Sequence, residues 1–255
     1  MGILDKFRLE GKKAFVTGGS RGIGKSVAMG LAEAGADIAI VARGLAAAEE
    51  TAHEIERLGV RAIAVKADVT VPEQVDGMMK TIVGKFGTVD VAFNNAGIAV
   101  VENAEEMSYE SLKKVIDVNL IGLFLTCQAA AKVMIRQKRG SIINMASMSA
   151  HVVNVPQKTS NYNASKAGVV QLTKCLAVEW APHNIRVNSI SPGYTLTELA
   201  RSFSEELMRQ WIVKIPMGRM ADPAELQGAV LYLASEASSY CTGTDLIIDG
   251  GYTLW

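Results

Sequence analysis

Along the 255-residue chain, short apolar runs alternate with longer stretches in which apolar and polar residues recur at helical spacing. The runs Lys13–Thr17, Ile38–Val41, Ala62–Val65, Val89–Phe93, Ser141–Met145, Arg186–Ile190 and Asp245–Ile248 are apolar without strict alternation, which predicts strands buried on both faces. The stretches 23–34, 45–58, 73–86, 108–137, 161–181 and 223–235 carry the helical pattern. Strand–helix alternation of this kind builds a parallel sheet with helices on both faces, wound by right-handed crossovers. The expected fold is a doubly wound α/β sheet of about seven strands. No linker, repeat or low-complexity tract interrupts the series, so residues 1–255 are expected to form one domain.

One stretch breaks the rhythm. Between the sixth strand and the last helix, about 193–220, there is no strand pattern, only two possible short helices and the apolar residues Leu199, Phe203, Leu207, Trp211 and Met217. An insertion of this length at the C-terminal end of a strand reads as a lid over a site or as an excursion packed on a neighbouring subunit.

Composition narrows the choice of partners. Hydrophobic residues make up 49% and charged residues 20%, enough apolar material for a large core, and a net charge of zero favours neither nucleic acid nor an anionic membrane. Cys127, Cys175 and Cys241 are scattered, as are His53, His151 and His183, so neither a disulfide framework nor a metal cluster is expected. The first ten residues hold no long apolar run, which argues against a signal peptide or anchor. A cytoplasmic enzyme is the expectation.

The chemistry begins at Thr17-Gly18-Gly19-Ser20-Arg21-Gly22-Ile23-Gly24, where the first strand turns into the first helix. Glycines there let backbone approach a pyrophosphate, and the helix N-terminus adds free N–H groups and a positive dipole end. The spacing is GxxxGxG, distinct from the commoner GxGxxG fingerprint of Rossmann folds. Farther on, Tyr162 and Lys166 stand four residues apart on a predicted helix, so a phenol and an ammonium share one face. A cation beside a phenol favours the phenolate and pulls its pKa from about 10 towards the range of acid–base catalysis.

With Asp68 after the third strand, Asn94-Asn95-Ala96-Gly97, Asn119, Ser147 and Pro192-Gly193, these motifs fall in one order along nearly the whole chain. In that order the chain resembles the short-chain dehydrogenase/reductase family. The resemblance implies a nicotinamide cofactor and a catalytic set of Asn119, Ser147, Tyr162 and Lys166. Tyr162 would exchange the proton, Lys166 would lower the phenol pKa and bond the nicotinamide ribose, Ser147 would fix the substrate oxygen, and Asn119 would anchor a relay water. Ser147 precedes Tyr162 by fifteen residues, whereas thirteen, common in the family, would select Ser149; Ser147 is preferred because it leaves the strand directly.

The cofactor would be held by Gly18, Ser20, Arg21, Gly22, Ile23 and Gly24, with Asp68 and Val69 at the adenine and Asn95, Ala96 and Gly97 at the ribose and pyrophosphate. Tyr162, Lys166, Pro192, Gly193, Thr195 and Thr197 would complete that site. Ala42 occupies the end of the second strand, where an acidic residue would bond a ribose 2′-hydroxyl, and Arg43 follows it. Two guanidinium groups, Arg21 and Arg43, near a strand end that lacks the carboxylate suit a 2′-phosphate and hence NADP(H).

The 151–157 loop and the closing Gly-Gly-Tyr-Thr-Leu-Trp resemble the polyol dehydrogenases and ketose reductases of the family, which implies a sugar or polyol substrate. Ser149, Val153, Asn154, Gln157 and Tyr194 are the candidate substrate residues; His151 reads as a loop or packing residue. Reduction of a 3-oxoacyl carrier protein would use the same catalytic set, as would gluconate 5-dehydrogenase chemistry. The rival acyl-carrier reading needs a basic patch at the entrance, and only Arg136, Lys138 and Arg139 cluster. The family resemblance also implies a homotetramer paired through helices 108–137 and 161–181 and the last strand. The apolar terminus Tyr252–Trp255 is expected to dock on a neighbouring subunit.

Overall fold

The computed structural model describes residues 2–255; the side chain of Leu199 lies outside what is described. Seven parallel strands form one sheet in the order β3-β2-β1-β4-β5-β6-β7. They are β1 (Lys13–Thr17), β2 (Asp37–Ala42), β3 (Ala62–Lys66), β4 (Val91–Asn94), β5 (Gly140–Met145), β6 (Ile185–Pro192) and β7 (Asp245–Ile248). Strand bounds fall within one residue of the apolar runs, except that β4 starts at Val91, two residues late, and β6 continues two residues farther, to Pro192. The strand order reverses between β1 and β4, which opens a crevice at the C-terminal ends of the strands.

Alternate residues of each strand feed opposite cores. Phe15, Ala39 and Val41 pack under α3 (Pro72–Phe86), α5 (Leu123–Gln137) and α6 (Ser160–Trp180). Ala14, Val16, Ile38 and Ile40 pack under α1 (Gly22–Glu33), α2 (Leu45–Glu56) and α9 (Gln227–Ala234). Continuous apolar strands follow directly from this two-sided burial.

Two predicted helices are interrupted. The stretch 108–137 is α4 (Tyr109–Ile116), a π-helical turn (Asp117–Gly122) and α5. Gly122 allows the turn to sit against the neighbouring loop, because a Cβ there would lie 2.8 Å from Val69 Cγ2. The helix ending near 235 starts as a 3-10 turn, Pro223–Leu226, closed by an Asp222–Glu225 capping box. Tyr109–Gln137 is long and apolar enough to cross a membrane, yet more than half of its apolar window is buried inside this chain, as a core helix requires.

The stretch 193–220 contains α7 (Glu198–Arg201) and α8 (Glu205–Ile212). It has a small core of its own. Trp211, Ile215, Met220 and Ala200 pack with Met148 from the turn after β5 and Tyr252 from the C-terminal end.

Candidate active site

At the end of β1 the chain turns through Gly18 and Gly22, both with positive φ, into α1. Thr17 clasps this turn to the end of β4. Its hydroxyl accepts from Asn95 N at 3.0 Å and Ala96 N at 3.1 Å, while Asn95 Nδ2 donates to Thr17 O at 3.0 Å and Gly18 O at 3.1 Å. A Cβ on Gly24 would stand 2.3 Å from Gly18 O, so the glycine is required by the protein's own packing. The first turn of α1 has no side-chain cap, which leaves its N–H groups directed at the crevice. Backbone cradle, dipole end and uncapped donors fit a pyrophosphate. The Asn95 side chain is bonded to the glycine turn itself. Asn94, the first residue of that motif, faces the core and donates to Asn144 Oδ1 at 3.0 Å.

Ser20 and Ile23 complete the turn, Ser20 through a 3.4 Å bond to its carbonyl from the Thr51 hydroxyl. Ile23 packs against the α1 core. Arg21 and Arg43 are exposed, and Arg43 follows half-buried Ala42 at the end of β2. Lys66, which pattern alone did not single out, is in register with Ala42 on β3, so a third cation stands at this corner. The Asp68 carboxylate accepts from Thr70 N at 2.9 Å and Thr70 Oγ1 at 2.7 Å. These bonds, and to a smaller extent the Arg43 charge, hold it below the usual carboxylate range. Val69 is buried against the π-helical turn.

That turn places Asn119. Fully buried, Asn119 accepts from Ile98 N at 2.8 Å and donates to Ile98 O at 2.9 Å and Ser165 Oγ at 3.0 Å. Its amide hydrogens are therefore committed to protein partners. A Cβ added at Gly97 would lie 3.3 Å from Asn119 Oδ1 and 3.6 Å from Lys166 Nζ, so Gly97 sits over both residues.

Tyr162 and Lys166 share one face of α6. Lys166 is buried, with Nζ donating to Met145 O at 2.6 Å and standing 5.6 Å from the Tyr162 ring centroid. Burial pulls its ammonium down to about 8. The expectation that Lys166 depresses the phenol needs correcting. Burial pushes Tyr162 up and outweighs a hydrogen bond with Ser147 that draws it down. Of the two candidate serines, Ser147 is the one whose hydroxyl draws on the Tyr162 phenol. Ser149 lies one step out, its N donating to Ser147 Oγ at 3.1 Å and its hydroxyl to Asn154 Oδ1.

The candidate substrate residues converge from three segments. Gln157 Nε2 donates to Tyr194 OH at 3.0 Å, and Asn154 Nδ2 approaches the same hydroxyl at 3.5 Å. Val153 is the exception: it is 78% exposed and stands outside this cluster. The Tyr194 ring stacks on Trp211 at 4.4 Å and meets Tyr252 edge-on at 5.5 Å. Pro192 pairs with Ile248 at the end of β6, and a Cβ on Gly193 would lie 2.7 Å from Asp249 Cα. Thr195 bonds back to Gly193 O at 3.1 Å, and the Thr197 methyl lies over Gly22. The 193–220 segment therefore touches the glycine turn as well as the substrate loop.

Sequence reading missed three structural partners of the site. His151 Nε2 lies 2.6 Å from Asp245 Oδ2 on β7, and Ser189 and Ser191 donate to the same carboxylate at 2.6 and 2.7 Å. His151 thus ties the start of the substrate loop to the sheet. Asn163, inside the Tyr162–Lys166 motif, donates to Val152 O at 3.0 Å, and Lys214 donates to Val155 O at 3.0 Å from beyond α8. Tyr252 is the further correction. It is buried in its own chain, and Asp249 accepts from Gly251 N and Thr253 N at 2.8 Å, whereas Leu254 and Trp255 are exposed. Among the described residues no group of three His, Cys, Asp or Glu side chains is placed to hold a metal.

A family profile described as enoyl-(acyl carrier protein) reductase matches residues 18–253. The chain is 44% identical to the sorbose reductase of Candida albicans over 98% of its length and 90% of that protein. It is 43% identical to the NADP-dependent mannitol dehydrogenase of Alternaria alternata over 99% of its length and 96% of that protein. The crystal structure of a short-chain type dehydrogenase/reductase from Mycobacterium marinum superposes with a TM-score of 0.94 at 50% identity, covering 99% of each chain. The chain belongs to the short-chain dehydrogenase/reductase family.

Proposed function

We propose that this protein is an NADP(H)-dependent oxidoreductase that interconverts a ketose and a sugar alcohol. The observation that carries the substrate class is the polar cluster of Asn154, Gln157 and Tyr194, joined through Ser149 to Ser147. A site built to bond hydroxyls rejects analogues that lack them. The sorbose and mannitol enzymes among its relatives act on this class of compound.

Residues of the glycine turn, with Asp68, Val69, Ala96, Gly97 and Thr197, would hold NADP(H), and Arg21, Arg43 and Lys66 would neutralise its 2′-phosphate. When bound, the cofactor supplies or accepts the hydride. Tyr162 is the proton donor in reduction: its raised pKa keeps the phenol protonated at neutral pH. Ser147 holds Tyr162 and the substrate oxygen together, as an oxyanion-type donor. Lys166, buried beside the Tyr162 ring and bonded to Met145 O, would hold the nicotinamide ribose. Asn119 would anchor the relay water through its Oδ1, which accepts one bond from Ile98 N and keeps a second lone pair, while both its amide hydrogens are used by Ile98 O and Ser165 Oγ.

The acyl-carrier alternative is disfavoured by charge placement. Arg139 pairs with Asp90 at 3.2 Å just before β5, so the basic cluster lies at the opposite end of the strands from Ser147. The proposed state is a cytoplasmic homotetramer, for which exposed Tyr109, Ile121 and Phe124 on the α4–α5 face, Val178 on α6 and Ile247 on β7 would offer apolar contact surface.

The test is a steady-state panel of NADPH and NADH against fructose, sorbose, xylulose, ribulose and an acetoacetyl thioester. Reduction of a ketose with NADPH preferred is expected; preference for the thioester sinks the substrate reading, and equal use of NADH sinks the phosphate site. Sedimentation of the same preparation reads the assembly, and a stable monomer removes that part of the proposal.

A further inference from the structure

The segment 151–157 contains no helix or strand, yet it carries Asn154 and Gln157, the two amides that gather at the Tyr194 hydroxyl. A loop without ladder hydrogen bonds keeps its geometry only as well as it is anchored. Asn163 on α6 and Lys214 beyond α8 hold this one by main-chain carbonyls, those of Val152 and Val155, each at 3.0 Å. His151 holds it by a side chain of its own, which reaches the sheet.

At the far end of that contact is Asp245 on β7, whose side chain is 8% exposed. A carboxylate so buried needs donors. It has Ser189 at 2.6 Å and Ser191 at 2.7 Å from β6, and His151 Nε2 at 2.6 Å. An imidazole nitrogen that close to a carboxylate oxygen carries its hydrogen, so His151 donates in a charge-assisted bond. Among the described residues no Lys or Arg lies within ion-pair reach of Asp245, which leaves His151 as its basic partner.

The place of His151 in the chain gives this bond leverage. It directly follows the Met148–Ala150 turn, its N donating to Met148 O at 2.9 Å. Ser149 before it and Asn154 after it are closed by a hydrogen bond, so His151 pins the middle of a short closed loop. We infer that His151 is a positioning residue: bonded to Asp245, it fixes this loop to the sheet so that Asn154 and Gln157 meet the substrate in one arrangement. The inference rests on the ketose reading above and deepens it, naming what holds the residues that would bond the sugar hydroxyls. Without the bond the loop leaves that arrangement part of the time, and apparent affinity falls by the fraction lost.

The experiment compares wild type with His151→Ala and with His151→Gln, whose amide can still donate to Asp245. Each protein is measured by steady-state kinetics with NADPH and a six-carbon ketose, by NADPH titration, and by hydrogen exchange over 151–158. His151→Ala is expected to raise KM for the ketose about tenfold with kcat nearly unchanged, the effect of one charge-assisted bond no longer holding a binding loop. Exchange in the loop should quicken, NADPH affinity should not move, and His151→Gln should recover most of both losses. An unchanged ketose KM overturns the inference. So does a matching loss of kcat and NADPH affinity, which would make the pair a general support of the fold, and so does a His151→Gln protein as impaired as His151→Ala. A wild type that reduces no ketose, with loop exchange still following the three-protein series, removes the ketose reading and keeps the anchor. Ketose turnover with KM indifferent to His151→Ala removes the inference alone.

Discussion

The two sides of the crevice are built by different means. On the β1 side, glycines at 18, 22 and 24 and the Thr17–Asn95 clasp leave backbone against backbone, with no space for a side chain at Gly24. On the β5–β6 side, side chains from three segments meet: Asn154 and Gln157 on a loop, Tyr194 and Trp211 in the 193–220 stretch, and Tyr252 at the C-terminal end. The first construction suits a ligand common to a whole family and tolerates little change. The second can be altered residue by residue without touching the sheet, as enzymes of one chemistry but many substrates require.

The seam between the two sides gives the largest expected effect. Ser147→Ala should lower kcat by ~10²–10³, the loss seen when one oxyanion-type donor is removed. Ser149→Ala, one hydrogen bond farther out, should lower kcat less than about tenfold and act mainly on KM. Steady-state kinetics on both variants decides; near-normal turnover of Ser147→Ala would move the role to Ser149 and shift the seam towards the substrate side.

The next contrast takes one residue from each side. Gly24→Ala drives a methyl to 2.3 Å from Gly18 O and 2.5 Å from Asn95 Nδ2, neither of which has room to retreat. It should cost ~1–3 kcal/mol of stability and, by displacing the turn, weaken NADPH binding by about 10²-fold. Gln157→Ala should leave the melting temperature and NADPH affinity unchanged and raise KM for the ketose alone. Calorimetry and fluorescence titration of both variants check the contrast; a Gly24→Ala protein that binds NADPH normally would show that the turn is not a rigid cradle.

The same contrast explains what could be read from the chain. The strands, the glycine turn and the Tyr162–Lys166 pair are encoded in local spacing, which a periodic pattern exposes. The His151–Asp245 pair joins residues 94 apart, and the Tyr194–Trp211–Tyr252 cluster joins three segments that only the folded sheet brings together. Trp211 reads as one more apolar residue of a short helix until its neighbours are known. The π-helical turn at Asn119 has no periodic signature either, because one extra residue per turn leaves the flanking helical pattern nearly intact. The phenol of Tyr162 shows the same limit: sequence spacing reveals the nearby cation, while burial, the larger influence on its protonation, is a property of the whole fold.

Lys166 lies under both sides, and its stability cost is the smallest and most specific test of the comparison. Burial lowers its pKa from 10.5 to about 8, so at pH 7 the folded state carries a charge that it would rather release. A shift of that size corresponds to ~3 kcal/mol against folding at pH 7, and losing the bond to Met145 O would offset about 1 kcal/mol of the relief. Lys166→Met should therefore abolish turnover yet stabilise the fold at pH 7 by ~2 kcal/mol. The sign follows from proton counting: between about 8 and 10.5 the unfolded chain binds more protons than the folded one, so wild-type stability gains relative to the variant as pH rises through that window. Urea denaturation of both proteins at pH 7 and pH 9.5 should show the variant's advantage at the lower pH shrinking at the higher. A variant less stable at pH 7, or an advantage indifferent to pH, would mean that the buried ammonium is well solvated by its surroundings. It would then be part of the cradle's packing, and not a charge held in place for chemistry.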